Sequence, residues 1–266
     1  MSLLLYYIKR MIRAIGKPLR VLRGHQAPEA ETIPVMITGL PAAFEQYTIA
    51  VVADLHLPDY LSTPAQIVAV LSDIRPHCIL LPGDLTNRYA AFDRVGIADF
   101  LQQLVAIAPC YAVAGNHERS SARFSAYRAL LEDAGVILVD DQWVFLQKDN
   151  AQLPLYGVCD TQVPLPASIP SPALLLLHYP ERAACLDDSG FSLAICGHAH
   201  GGQIRFRKRG LYAPGQGFFP RYISGLYRFN RLQMVVSRGL GDSSLPLRLH
   251  NRPHLPVIQL IPAPTV

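Results

Sequence analysis

The chain of 266 residues is half hydrophobic and 17% charged, which supplies one sizeable domain with its own core and excludes intrinsic disorder. Its formal net charge is +4, yet the first 24 residues hold six Lys or Arg and no acid, leaving 18 basic against 20 acidic residues in the rest. That near-neutral remainder argues against a nucleic-acid-binding body, and no apolar run, not even Leu3 to Ile8 or Ala173 to Leu177, approaches the roughly 20 residues of a membrane-spanning helix.

Residues Leu3 to Arg23 predict a basic amphipathic helix. At about 100° per residue, Leu4, Ile8, Met11, Ile12, Ile15, Leu19 and Leu22 share one arc, and Lys9, Arg10, Arg13, Lys17, Arg20 and Arg23 share the opposite one. Such a helix lies in a bilayer interface with its cations on anionic head groups, or it packs as a surface helix on the domain; both uses stay open. Pro18 ends or kinks it near Gly16. The charges follow the first apolar run instead of preceding it, against the order of a secretory signal. Gly24 to Pro34 is polar and Pro-containing and predicts a linker. The expected organisation is therefore a helix over 1–23, a linker and entry segment over 24–46, and a single domain over 47–266.

From Tyr47 on, short β-rich apolar runs alternate with helical stretches. Strands are predicted at Thr48 to Ala53, Cys78 to Leu81, Tyr111 to Ala114, Leu153 to Val158, Leu174 to Leu177, Leu193 to Cys196, Gln233 to Ser237 and Val257 to Ile261. Helices are predicted at Pro64 to Ile74, begun by Ser62 or Thr63, at Asp99 to Ile107, and at Ser121 to Ala134, stopped by Gly135. The interleaving argues an α/β architecture with helices on both faces of a β core. Cys78, Cys110, Cys159, Cys185 and Cys196 form no CxxC pair and read as buried thiols of a reducing compartment. His25, His77, His250 and His254 match no motif and are assigned to the surface or to loops.

Functional groups of an α/β sheet collect beyond the C-terminal ends of its strands, and here they do so repeatedly. Asp54 and His56 follow the first predicted strand, Asp84 the second, Asn116 and His117 the third; His178 follows LLLL, and His198 and His200 follow LAIC. All are oxygen or imidazole donors for hard or borderline divalent cations. Crowding several imidazoles and two carboxylates at one edge is costly unless cations compensate them, so a metal site is expected.

The signature DLH at Asp54 to His56, GD at Gly83 to Asp84, GNHE at Gly115 to Glu118, the lone His178, and GHAH at Gly197 to His200 resembles that of the calcineurin-like metallophosphoesterases in order and spacing. The resemblance implies a four-layered α/β/β/α sandwich and two divalent metals, Mn²⁺ foremost with Fe²⁺ or Zn²⁺ as alternatives. It implies one metal held by Asp54, His56, Asp84 and His200, and a second held by Asp84, Asn116, His178 and His198, with Asp84 bridging and His117 beside them as general acid. Cations about 3.5–4 Å apart clamp the phosphoryl oxygens while a hydroxide shared between them attacks phosphorus. Purple acid phosphatases of the same superfamily carry a Tyr three residues after the bridging Asp, and protein phosphatases an Asp that orients the catalytic His; here that residue is Asn87, which supplies no charge to hold His117 protonated. Arg88 lies where protein phosphatases have a phosphate-binding Arg.

The stretches GHAHGGQIRF, GFFPRYISGLYRF and VSRGLGDSSLPLRLHNRPHLPVIQL are similar to a bacterial subgroup that includes membrane-associated phosphodiesterases and a UDP-2,3-diacylglucosamine pyrophosphatase of lipid A synthesis. Gln203 is a candidate substrate contact. Strand alternation puts Arg205, Arg207 and Arg209 on one face, where Arg205 and Arg207 would hold an anionic group. Leu211 to Leu226, with Phe218, Phe219, Tyr222 and Tyr227, would line an acyl groove. The expected function is hydrolysis of a phosphodiester or pyrophosphate on a lipid-linked substrate at the cytoplasmic membrane surface, which residues 3–23 contact, with no nucleic acid and no obligate protein partner. The alternatives are a soluble phosphodiesterase for small esters or nucleotides, and a non-catalytic interaction scaffold.

Overall fold

The structure is a computed structural model that describes residues 26–58, 61–159, 164–207, 209–242 and 248–264. The helix expected over residues 3–23 lies outside the described residues, as do His25 and Lys208.

In chain order, strand β1 (Glu29–Ile37) and β2 (Thr48–Val51) precede helix α1 (Pro64–Ile74), β3 (Cys78–Leu81), α2 (Arg94–Ile107) and β4 (Cys110–Ala112). The one-turn α3 (Asn116–Arg119), α4 (Phe124–Ala134), β5 (Ile137–Leu138), β6 (Trp143–Lys148) and β7 (Ala151–Val158) follow. Next come β8 (Leu174–Leu177), the short α5 (Pro180–Ala183), β9 (Leu193–Cys196) and two small hairpins. The first hairpin pairs β10 (Arg205–Phe206) with β11 (Arg209–Gly210), and the second pairs β12 (Tyr212–Ala213) with β13 (Gly217–Phe218). The chain closes with β14 (Gly225–Arg228), β15 (Gln233–Val236) and β16 (His254–Pro262).

Two six-stranded sheets result, ordered β1-β16-β2-β3-β4-β5 and β14-β15-β9-β8-β7-β6. Strands β2 to β5 run parallel, as do β7, β8, β9 and β15. The runs CILL, LLLL and LAIC are buried at every position, as central strands covered on both faces must be. Ile49, Val51, Leu80 and Val113 of the first sheet meet Leu155, Leu174, Leu176, Ile195 and Val235 of the second. Helices α1, α2 and α4 seal the outer face of the first sheet. The outer face of the second is covered by α5, Phe191 and loop residues such as Leu165 and Tyr222. The layer order is thus α/β/β/α, with the last layer, among the described residues, made of one short helix and loops.

Local chemistry fixes the helix ends. The Thr63 hydroxyl accepts the Gln66 N–H at 3.1 Å while the Gln66 side chain accepts the Thr63 N–H at 3.0 Å, a capping box that starts α1. Asp93 accepts the Gly96 N–H and so starts α2 a turn ahead of the expected Asp99. Gly135 adopts φ 84° and ends α4.

The expected linker is corrected. Residues 29–37 form an edge strand that pairs in parallel with β16 from Glu29↔His254 to Ile37↔Pro262, and Ile33, Val35 and Ile37 point into the inter-sheet core. Pro34, which suggested a linker, is tolerated because an edge strand needs no donor on its open side. His254 is also corrected: it is fully buried in β16, 2.9 Å from Glu31 Oε2. Four of the cysteines are buried and Cys185 is exposed, all with free thiols.

Candidate metal centre

The expected ligands leave the C-terminal ends of β2, β3 and β4 in one sheet and β8 and β9 in the other, so the site bridges the two sheets. The Asp54 carboxylate makes that bridge: both oxygens accept the His198 N–H at 3.0 Å, while the Asp54 N–H donates to Gly83 O. Turning the chain out of each strand forces left-handed backbone at Asp54 (φ 51°), His56 (54°), Asp84 (55°), His198 (67°) and His200 (45°). Each such residue costs on the order of 1–3 kcal/mol and persists only where its surroundings over-determine it. Gly115 permits a close approach, since a Cβ there would fall on Asp84 Oδ1.

Two groups of potential ligand atoms, Asp54, His56 and His200 on one side and Asp84, His178 and His198 on the other, meet at this point, and a third, His56, Asp84 and His117, overlaps both; the atoms of each group lie within 4.8 Å of one another. Asp84 lies between the first two, its Oδ2 3.3 Å from His178 Nε2 and 3.8 Å from His56 Nε2. Asn116 Oδ1 is 3.2 Å from His178 Nε2. All but Asn116 are buried.

Burial drives His56 and His198 down to about 3 and lowers His200 as well, leaving neutral rings with lone pairs to share. Burial raises Asp54 to about 7. It opposes the charge on Asp84 too, but His178 and His56 hold that carboxyl well below its usual range. Burial would likewise depress His178, but Asp84 overrides it and lifts the ring to about 9. Ring nitrogens face each other at 3.0 Å between His56 and His200 and at 2.9 Å between His178 and His198. Ring nitrogens converging this closely on two carboxylates fit divalent cations, and the mixed nitrogen and oxygen donors suit Mn²⁺, Fe²⁺ or Zn²⁺ better than Ca²⁺.

His117 stands at the mouth. Its N–H donates to Asp84 Oδ1 at 2.8 Å, its ring lies 4.5 Å from that of His56, and Nδ1 faces the Arg88 N–H at 3.4 Å. Asn87 Oδ1 accepts the Tyr89 N–H at 3.0 Å, shaping the turn that presents this backbone donor. Arg88 reaches the Ser120 hydroxyl, stacks its guanidinium over Tyr89 at 4.6 Å, and lines with Tyr89, Ser120, Ser121 and Arg123 a cleft of about 440 Å³.

The other expected substrate contacts divide. Gln203 is buried beside the centre at φ 58°. The common face of Arg205, Arg207 and Arg209 does not form, because β10 ends at Phe206 and the chain reverses at Arg207, φ 56°. Arg205 instead lies half-buried among the charges of Arg238, Glu29 and Glu31. Phe218 and Phe219 do not line a groove; they are 69% and 79% exposed.

Three supporting residues escaped the sequence reading. Buried Glu118 accepts the N–H groups of Asp84 and Gly115 and both the N–H and hydroxyl of Thr86; its signal was the Glu at the third helical position after Gly115. Buried Arg248 donates to His200 Nδ1 at 3.1 Å and to Gly241 O at 2.6 Å. Asn251 donates to the carbonyls of His200 and Gln203. No local pattern marks the last two, which arrive from far along the chain.

A model described as calcineurin-like phosphoesterase matches residues 47–202. The Escherichia coli K12 protein Phosphodiesterase YaeI is 31% identical over 228 residues, 81% of this chain and 82% of its own. The Bacillus subtilis 168 metallophosphoesterase YkuE is 25% identical over 234 residues, 83% of this chain and 81% of its own. Among solved structures, TT1561 of Thermus thermophilus superposes with a TM-score of 0.48 at 14% identity, over 73% of this chain and 90% of that one.

Proposed function

The chain belongs to the calcineurin-like phosphoesterase family and is a metal-dependent phosphoester hydrolase, and from that premise we propose that it cleaves a phosphodiester or pyrophosphate on a lipid-linked substrate, such as UDP-2,3-diacylglucosamine, at the cytoplasmic face of a membrane. The observation that carries the chemistry is Asp84, whose Oδ2 faces both ligand clusters. Asp54, His56, Asp84 and His200 would hold one divalent ion and Asp84, Asn116, His178 and His198 a second, with Mn²⁺ the expected metal. When bound, such a pair neutralises phosphoryl charge and supplies a nucleophile from water near neutral pH.

The chain's own groups do the rest. With the Arg88 N–H directed at Nδ1 of His117, the Nε2–H of the ring is left to donate a hydrogen bond that would stabilise the charge growing on the departing oxygen. Arg88 and Arg123 give a second anionic group a cationic seat beside that oxygen, which favours a pyrophosphate or a diester with a charged arm. The C-terminal resemblance and the basic segment 3–23 support the lipid. A second reading, small water-soluble diesters, is favoured by the exposure of the Arg88 cleft, whose Tyr89 wall is 64% exposed. The scaffold alternative lacks support, since it needs missing ligands.

The test is hydrolysis by metal-free protein resupplied with Mn²⁺, comparing bis-p-nitrophenyl phosphate, p-nitrophenyl phosphate and UDP-2,3-diacylglucosamine, with bound metal counted by elemental analysis. Fastest turnover of the lipid nucleotide with two ions bound is expected. A simple diester as best substrate, with the lipid nucleotide untouched, removes the lipid part; one ion at full activity removes the paired metals.

A further inference from the structure

Charge in this chain is segregated in a way its net value hides. From Ser189 to Gly241 there is no Asp or Glu, while Arg205, Arg207, Lys208, Arg209, Arg221, Arg228, Arg231 and Arg238 all fall there. Arg205 and Arg238 are drawn into the β1 edge by Glu29 and Glu31. Arg207, Arg209 and Arg221 are exposed on the β10–β11 and β12–β13 hairpins or just beyond them.

The same hairpins carry apolar groups that stand exposed. Phe206 is 76% exposed, Phe218 69% and Phe219 79%, with Leu211 between them at 38%. The hairpins form one unit: the Leu211 N–H donates to Ile204 O and Gly202 O, and the Leu211 carbonyl takes the Phe219 N–H at 2.8 Å. That unit leans on the metal centre. Gly210 packs on Gly202, next to His200, and a Cβ on Gly215 would lie 3.3 Å from His198 Nε2. Soluble proteins leave few such clusters of bare rings without a use.

We propose that these two hairpins are a membrane-docking rim, in which Phe206, Phe218 and Phe219 enter the outer acyl region of an anionic bilayer while Arg207, Arg209 and Arg221 meet its head groups. Exposed rings beside arginines, on hairpins that carry no Asp or Glu of their own, are the composition of an interfacial anchor; the carboxylate that stands against Gly215, that of Glu181, is partly buried. Docking there brings the metal centre to the bilayer surface, so that a lipid-linked phosphoester reaches it with its acyl chains still in the membrane. The inference rests on the lipid-linked reading above and adds the surface by which the site meets its substrate. It also makes residues 3–23 a second contact and not the only one.

Full-length Phe219→Trp protein, mixed with phosphatidylglycerol vesicles containing brominated acyl chains, tests the position directly. The introduced indole is expected to shift to the blue and be quenched, beyond any change in unsubstituted protein, whose single Trp143 lies in β6. Joint Phe206→Ser, Phe218→Ser and Phe219→Ser substitution is expected to weaken vesicle binding about 100-fold while hydrolysis of bis-p-nitrophenyl phosphate stays intact and reports the fold. An indole insensitive to the vesicles overturns the proposal, whether residues 3–23 alone hold the protein there, the patch joins two copies of the chain in sedimentation, or an oligonucleotide takes it instead. Turnover of the lipid nucleotide in detergent micelles separates the two claims: activity in micelles without vesicle quenching sinks only the docking rim, and quenching without lipid turnover sinks only the substrate.

Discussion

Along the outer face of the first sheet, α1, α2 and α4 lay Ile67, Leu71, Phe100, Leu104, Tyr127 and Leu131 onto Ala50, Ile79 and Ala112. Apart from the buried hydroxyl of Tyr127 the side chains there are apolar, and α1 and α2 begin at side-chain caps. A few residues further along the same strands, Asp54, His56 and Asp84 turn into left-handed backbone and bury two carboxylates among imidazoles. The strands are common to both regions; what differs is which end of the strand, and which chemistry, the loops must serve. One region yields stability without function. The other holds strain and unfavourable burial that only a bound cation and substrate make useful.

The comparison is broken most severely at Asp84. Asp84→Asn removes the charge facing both clusters, and hydrolysis is expected to fall to the uncatalysed background with loss of bound metal; His198→Ala should do the same by removing one ligand. His117→Ala should lower kcat by roughly 10²–10⁴-fold with metal content kept, because His117 touches Asp84 through its backbone N–H. Elemental analysis beside kcat decides: equal metal loss in all three would dissolve the division between ligands and hydrogen-bond donor.

The sealed face answers with the opposite signature. Leu71 is fully buried in α1, and Leu71→Ala should cost about 2–5 kcal/mol in urea unfolding with kcat per folded molecule unchanged. A parallel fall in kcat would show that the sealed face transmits strain to the rim.

That division also governs what the sequence makes legible. Period and capping are local, so α1, β3, β8 and β9 are bounded correctly, and the candidate ligands stand out because each lies just beyond an apolar run. Long-range pairing is not local. Strand β1 looks like a linker until β16 arrives from over 200 residues later to pair with it, and Arg248 becomes visible only when the chain returns to put it against His200. Net charge misleads in the same way, since the near-neutral total over the body conceals an acid-free stretch at one rim. Alternation failed at Arg207 because a strand pattern cannot announce its own turn.

Glu118 sits on the border and sharpens the contrast. Its carboxyl accepts from Asp84, Gly115 and Thr86, and burial followed by Asp84 pushes it up to about 7. Glu118→Gln turns one acceptor into a donor facing an N–H, at about 1–3 kcal/mol. Because those donors fix the Asp84 loop, kcat should fall as well, which a purely structural residue would not produce. Lost stability with full kcat per folded molecule would return Glu118 to the sealed region.

The smallest effect tests whether the two regions are independent at all. Thr63 closes the stretch that runs from the candidate ligands Asp54 and His56 to the start of α1, and its hydroxyl caps that helix through Gln66. Thr63→Ala should cost about 1 kcal/mol, and Thr63→Ser should restore most of it because the hydroxyl alone makes the bond. Neither change should alter kcat, since His56 is held by its own N–H on Asp84 O, not by the helix. If kcat instead fell with Thr63→Ala and returned with Thr63→Ser, the cap would be positioning His56 through the intervening loop. Helix and rim would then be one mechanical unit, and the contrast between a face that only stabilises and a rim that only reacts would fail at the residue where they join.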